Sequence, residues 1–186
     1  MSRADEVRTG LEHVRRRIAA ACTAAGRDPD EVSLVVVTKF FPASDVRILA
    51  DLGVTHVGEN RHQEAEAKAA ECADLGLVWH FIGGLQSNKA AAVARYAHVV
   101  ESVDRPKLVG PLSRGATESG HEVEVLLQVS LDPPGAANRS GAAPADLVAL
   151  ADAVAAADGL RLRGLMAVAP LGEDPAAAFA RLADVR

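Results

Sequence analysis

The chain has 186 residues, of which 49% are hydrophobic, so it can bury a substantial core and is expected to form one domain. Its 20 basic and 25 acidic residues give a net charge of −5 without a long run of one sign, which argues against nucleic acid or an anionic membrane as the main partner. The first residues lack the apolar segment of a signal peptide and no stretch reaches the roughly 18 apolar residues of a membrane span, so we expect a cytoplasmic protein.

The first part of the chain predicts a helix, a strand and a second helix. Apolar residues recur at spacings of four and three along the opening segment: Val7, Leu11, Val14, Ile18 and Ala21. This spacing predicts one amphipathic helix that ends near Gly26. The run VSLVVVTK (32–39) is almost continuously apolar, as expected of a parallel strand covered on both faces. Helical spacing then returns and stops at Gly53.

The same alternation of strand and helix continues to the end of the chain. Five more strand-like segments follow: VTHVGE (54–59), LVWHFIG (77–83), HVVESV (98–103), VEVLLQVS (123–130) and LRLRGLMAV (160–168). Each precedes a helical pattern: over about 61–75, from SNK at 87, from DRPK at 104, over about 144–157 and from DPAAA at 174. Asp104 and Asp174 are predicted to cap the helices that follow them.

Six βα units after a leading helix predict an α/β fold with parallel strands, either an open doubly wound sheet or a TIM-type (β/α)8 barrel. Polar residues follow nearly every strand and no GxGxxG motif is present, which favours the barrel. A complete barrel needs about 200 residues or more. We therefore expect one barrel domain over residues 1–186, truncated to about six units, with about two C-terminal βα units missing. A six-stranded open sheet is the alternative.

Lys39 is the first candidate for chemistry, because it directly follows a run of β-branched residues. A lysine attacks carbonyl groups only as the free amine, and desolvation just inside the rim of a barrel favours that form. The alternative is an ordinary lysine at a strand end that extends into solvent.

Three more candidate binding residues lie on or directly after predicted strands. Asn60 can hydrogen-bond a ligand or cap the next helix, and the sequence favours neither. His80 alternates with apolar neighbours, so it lies on one strand face, as a core residue or packed against a planar ligand. Met166 lies toward the end of the sixth strand, where a core role is the default.

The segment after the fifth strand is too long for a simple connection, which suggests a lid or rim element. Its candidates for ligand contact are Arg139, Ser140 and Gly141. The sequence contains no HExxH motif, Ser-His-Asp order or paired carboxylates of the usual spacing. Hydrolase and metalloenzyme functions therefore have no positive support.

Six segments, taken in order and spacing, resemble the pyridoxal phosphate homeostasis protein family: VVVTKFFP, VGENRHQE, WHFIGGLQSNK, SVDR, LLQVS and RGLMAVAP. That family is similar to the N-terminal barrel domain of alanine racemase, and the resemblance covers essentially the whole chain. It implies that Lys39 forms a Schiff base with pyridoxal 5′-phosphate (PLP). It also implies that Asn60, His80 and Met166 line the cofactor pocket. Arg139 departs from the lysine that many members have before the SG dipeptide.

The resemblance further implies a protein that keeps free PLP low and delivers it to apo PLP-dependent enzymes, without a robust reaction of its own. We expect this protein to be a monomer. Members of the family continue through two more strands that hold the phosphate, so we expect residues 1–186 to hold PLP more weakly than a longer chain. A racemase-like PLP enzyme is one alternative, but it needs a second acid or base opposite Lys39, and Tyr96 is the only tyrosine. A Schiff-base aldolase without PLP is another.

Overall fold

The computed structural model describes residues 1–132 and 140–185. The described helices are α1 (Arg3–Ala25), α2 (Ala43–Asp51), α3 (His62–Glu71), α4 (Ser87–Ala94), α5 (Val109–Ser119), α6 (Leu147–Ala155) and α7 (Pro175–Val185). The strands are β1 (Val36–Val37), β2 (His56–Glu59), β3 (Val78–Phe81), β4 (Val99–Val103), β5 (Val123–Val129) and β6 (Leu160–Ala167). Short 3-10 turns precede or follow several helices: Pro29–Glu31, Ala73–Leu75, Pro106–Leu108 and Pro144–Asp146.

The strands form one parallel sheet in the order β1-β2-β3-β4-β5-β6, so each strand pairs with the next one along the chain. A doubly wound sheet reverses its strand order at a switch point, whereas a barrel adds strands in one direction. The observed order is the barrel pattern, and it confirms the predicted α/β barrel-type fold. β1 and β6 lie at the two ends of this order, and the carboxyl ends of all six strands share one edge of the sheet.

One face of the sheet is buried under the helices, and its residues form two apolar clusters. Val57 and Trp79 pack with α1, α2 and α3 in the first cluster. Val100, Val125 and Leu127 pack with α4, α5 and α6 in the larger one. Burial of each Val or Leu side chain contributes roughly 1.5–3 kcal/mol, so this outer face supplies most of the stabilising energy. The opposite, inner face is left free to carry polar groups.

Helix ends follow local signals where those signals stand directly at the boundary. Gly26 ends α1 with φ of 63°, the left-handed conformation that favours glycine, as predicted. The carboxylate of Asp174 accepts a hydrogen bond from the backbone N–H of Ala176 at 3.1 Å, which confirms the predicted cap of α7. The prediction for Asp104 is wrong: its carboxylate pairs with Arg105, and the 3-10 turn Pro106–Leu108 leads into α5 without a side-chain cap.

The first strand differs most from its prediction. β1 covers only Val36–Val37 of the predicted 32–39, and Val37 is 43% exposed rather than covered on both faces. The position of β1 at an end of the strand order explains this exposure, because it has one neighbouring strand instead of two. None of the helices in residues 1–132 and 140–185 is both long and apolar enough to cross a lipid bilayer.

The close contact between α4 and α5 provides a test of the packing. A methyl group added at Gly115 in α5 would lie 2.2 Å from the carbonyl oxygen of Ala91 in α4, so Gly115→Ala must force the helices apart. We expect a loss of about 1–3 kcal/mol in the free energy of unfolding, measured by urea denaturation. Gly110→Ala in the same helix is the matched control, since a methyl there meets nothing within 4 Å. Equal unfolding midpoints for the two variants would contradict this packing.

Candidate functional site

Lys39 lies in a tight turn immediately beyond β1, at the carboxyl edge of the sheet. The N–H of Thr38 donates to the carbonyl of Gly58 at 2.9 Å, and the N–H of Phe41 donates to the carbonyl of Thr38 at 3.1 Å. Thr38 turns its hydroxyl outward to Glu59, so the alternation along the strand assigns Lys39 to the inner face. Its side chain is half-buried, with the ammonium group 5.8 Å from the centre of the Phe40 ring.

The backbone of this turn is strained. Phe40 has φ of 69°, in the left-handed region that an L-residue with a large side chain rarely adopts. Such a conformation costs on the order of 1–2 kcal/mol and persists only where the surroundings hold it. The strain lies one residue from the candidate nucleophile.

Asn60 follows β2, next to the turn that carries Lys39. Its side-chain carbonyl oxygen is buried without a hydrogen-bond partner among the described residues. The helix-capping alternative is not observed, since the residue at the start of α3 is Arg61 and it makes no side-chain cap. A methyl group at Gly83 would lie 2.2 Å from the backbone oxygen of Asn60, so the loops after β2 and β3 pack against each other. This packing fixes the backbone of Asn60, while its buried side-chain oxygen stays without a partner among the described residues.

His80 pairs with Gly58 of β2, one residue before the carboxyl end of β3, and it is 9% exposed. Its Nε2 is 2.9 Å from Nδ1 of His56, and its Nδ1 is 2.7 Å from the carboxylate of Glu101. Both ring nitrogens of His80 are therefore occupied by protein partners. The ring can offer a ligand its flat face, but no free nitrogen.

The electrostatics of the inner face follow from this chain of groups. Burial, and then the charge of neighbouring His80, lowers the pKa of His56 below its ordinary value. Burial likewise lowers the pKa of His98, with His121 as the next cause. This environment thus favours the neutral imidazole at His56 and at His98.

Met166 lies one residue before the carboxyl end of β6. It pairs in register with Gln128 of β5, so both side chains belong to the same face of the sheet. The amide of Gln128 donates to the carbonyl of Ser140 at 3.0 Å. A cavity of about 280 Å³ opens beside Gln128 and is lined by Gln128, Ser130, Ser140 and Val168 among others, but not by Met166. Arg139, which the sequence also singled out, lies outside the described residues.

The structure therefore brings Lys39 and Asn60 to neighbouring strand ends and places Met166 at the same edge of the last strand. Sequence reasoning missed the partners of His80, namely His56 and Glu101. The alternation of residues along β2 and β4 is the signal that could have found them, because it assigns both to the inner face. Among the described residues, no group of three or more His, Cys, Asp or Glu side chains is placed to hold a metal ion.

Comparison with known proteins matches this geometry to a family. The model of the alanine racemase N-terminal domain matches residues 10–186. The pyridoxal phosphate homeostasis protein of Pseudomonas aeruginosa is 46% identical over 178 residues, which cover 94% of this chain and 76% of that protein. The chain belongs to the pyridoxal phosphate homeostasis protein family.

Two solved structures extend the comparison. PipY of Synechococcus elongatus, solved with PLP bound, is 38% identical with a TM-score of 0.75, over 91% of this chain and 78% of PipY. Alanine racemase of Clostridium difficile is 13% identical with a TM-score of 0.62, over 83% of this chain and 40% of the racemase, a likeness that concerns the fold alone. The family identified from the six sequence segments is thus confirmed.

The lowered pKa of His56 predicts a loss of stability in acid. Since the unfolded chain takes up a proton near pH 6.5 and the folded chain does so only at lower pH, the stability of the folded state falls as the pH drops through about 6.5. We expect His56→Gln to lose less free energy of unfolding than the wild type between about pH 7 and about pH 5. His98 keeps part of the effect in the variant.

The measurement is urea denaturation across this pH range. His13→Gln, at an exposed position of α1, serves as the control and should follow the wild type. Parallel pH profiles for the wild type and His56→Gln would contradict the assigned protonation behaviour.

Proposed function

We propose that this chain binds PLP covalently through Lys39 and holds it in reserve, as a protein of PLP homeostasis rather than an enzyme. The observation that carries the proposal is the position of Lys39: on the inner face, half-buried, beside Asn60 at the carboxyl edge of a barrel-type sheet. The active sites of such barrels lie at this edge. The relative PipY, 38% identical, has PLP bound in its structure.

The residues present fit such a cofactor. The buried oxygen of Asn60 has no protein partner among the described residues, so a polar group of the ligand would satisfy it. The ring of His80 offers a flat surface whose orientation is fixed by two hydrogen bonds. Met166, at the far end of the strand order, supplies a soft apolar contact. We assign the covalent role to Lys39 and the packing and orienting roles to these three residues.

The chemistry at Lys39 is a condensation that needs no oxidant or reductant. Lys39 would hold PLP through its free amine, which can condense with the aldehyde that the cofactor supplies, with water as the leaving group. The reverse reaction with water restores both partners. A bond that forms and hydrolyses reversibly suits a protein that takes up PLP and gives it back, for example to apo enzymes.

A racemase-like activity lacks its second group in the described part of the chain. Racemisation requires an acid or base on each side of the reacting carbon. Tyr96, the only tyrosine, follows α4 outside the sheet and stacks on His62 of α3 with ring centres 5.9 Å apart. Burial raises the pKa of its hydroxyl, which further disfavours a role as a base. Both nitrogens of His80 are already bonded.

The first test of this function is chemical trapping. The chain has four lysines, and we expect borohydride reduction with PLP followed by peptide mapping to mark Lys39 above all others. Lys39→Ala should abolish the visible absorbance band of the imine, while Lys107→Ala at an exposed position should keep it. Label spread over the other lysines with none at Lys39 would refute the assignment.

The second test concerns turnover. We expect the PLP-loaded protein to racemise alanine far below ordinary enzymatic rates, whose median is about 10 per second. The physical reason is that one lysine cannot protonate both sides of the α-carbon. Conversion of L-alanine to D-alanine, followed by chiral chromatography with a bona fide alanine racemase as reference, measures this. A rate comparable to that of the reference would support the racemase-like alternative.

A further inference from the structure

We propose that the buried ion pair of Glu59 and Lys68 is a positioning device for Lys39. The pair lies behind the turn that carries Lys39, on the outer face of the sheet, and fixes the peptide bond from which the lysine projects. The inference rests on the proposed function, because positioning matters only if the Lys39 amine reacts.

The ion pair contacts the backbone of the turn. The ammonium group of Lys68 donates to the carbonyl oxygen of Thr38 at 2.9 Å and to the carboxylate of Glu59 at 2.5 Å. The hydroxyl of Thr38 donates to the same carboxylate oxygen at 2.7 Å. The carbonyl that Lys68 holds belongs to the peptide bond between Thr38 and Lys39. The ammonium group therefore acts on the backbone at the candidate nucleophile.

Three separate hydrogen bonds hold the backbone of Thr38 from different sides. The Thr38 N–H is tied to Gly58 of β2, and the Thr38 carbonyl accepts from both Phe41 and Lys68. The strand, the turn and helix α3 thus meet at Thr38, whose carbonyl belongs to the peptide bond to Lys39. Backbone strain such as that at Phe40 persists only where the surrounding structure over-determines it, and this arrangement does so.

The burial of the pair indicates that geometry, rather than stability, explains it. Glu59 is 1% exposed and Lys68 is 8% exposed, and the second oxygen of Glu59 has no partner among the described residues. Taking two charges out of water costs about as much as their attraction returns, so an apolar pair of similar volume is often equally stable. A carboxylate left half-satisfied is a poor device for stability. The same carboxylate can nevertheless direct the ammonium group of Lys68 onto the carbonyl of Thr38.

Because removing one charge would leave the other buried and unpaired, the test uses the neutral double variant Glu59→Gln with Lys68→Met. The variant keeps an acceptor for Thr38 but loses the donor to its carbonyl. Leu150→Ala, a buried position of α6 in the other apolar cluster, is the control for a general loss of stability. Circular dichroism and urea denaturation establish that all proteins are folded.

Two measurements are made on each protein. Hydrogen exchange of the Phe41 amide reports on the turn, and the rate of imine formation with PLP reports on the Lys39 amine. We expect the double variant to exchange the Phe41 amide about tenfold faster or more and to form the imine about tenfold slower or more, the effect of losing one charge-assisted hydrogen bond. The Leu150→Ala control should match the wild type in both.

The inference is overturned if the double variant matches the wild type in either measurement, or if the control shows the same changes. Should the wild type form no imine at Lys39, the proposed function fails on its own account. The inference is then decided by acylation of Lys39 relative to exposed Lys107, mapped peptide by peptide. A ratio that the double variant leaves unchanged overturns it, and a ratio shifted together with faster Phe41 exchange supports it.

Discussion

The parallel ladder, in which each strand bonds to the next one along the chain, is the constraint on which the site depends. Because helices cover one face of this sheet, alternate residues of every strand separate into an apolar outer set and an inner set that is free to be polar. The inner set includes His56, His80 and Glu101. The same ladder brings the carboxyl ends of all strands to one edge, where Lys39 and Asn60 become neighbours.

Much of the fold could be predicted from the sequence, because βα alternation is a periodic signal repeated six times. The differences lie where position in the sheet matters more than composition. The apolar run before Lys39 predicts a long covered strand, yet β1 has only two residues in the ladder since it lies at an end of the strand order. Asp104 is a residue type that often caps helices, but its carboxylate pairs with Arg105 instead.

The candidate site was predictable only in part, for a physical reason. Lys39, Asn60 and His80 stand out locally because each is a polar residue on or just after an apolar strand. Their partners do not, because the contacts of His80 with Glu101 and of Thr38 with Glu59 join residues 21 positions apart. Such contacts depend on the register between strands. A single sequence does not display that register.

The proposed storage of a reactive aldehyde requires that the protein bind it without catalysing a reaction, and the inner face suits that requirement. The described groups nearest to an acid–base role are satisfied by one another: His80 is held between His56 and Glu101. Because both of its ring nitrogens are bonded, His80 has a fixed ring orientation but no nitrogen left to transfer a proton to a ligand. An enzyme on the same barrel would need to free such a group or bring one from elsewhere. A storage protein and an enzyme on this barrel would thus differ in which polar groups remain unpaired.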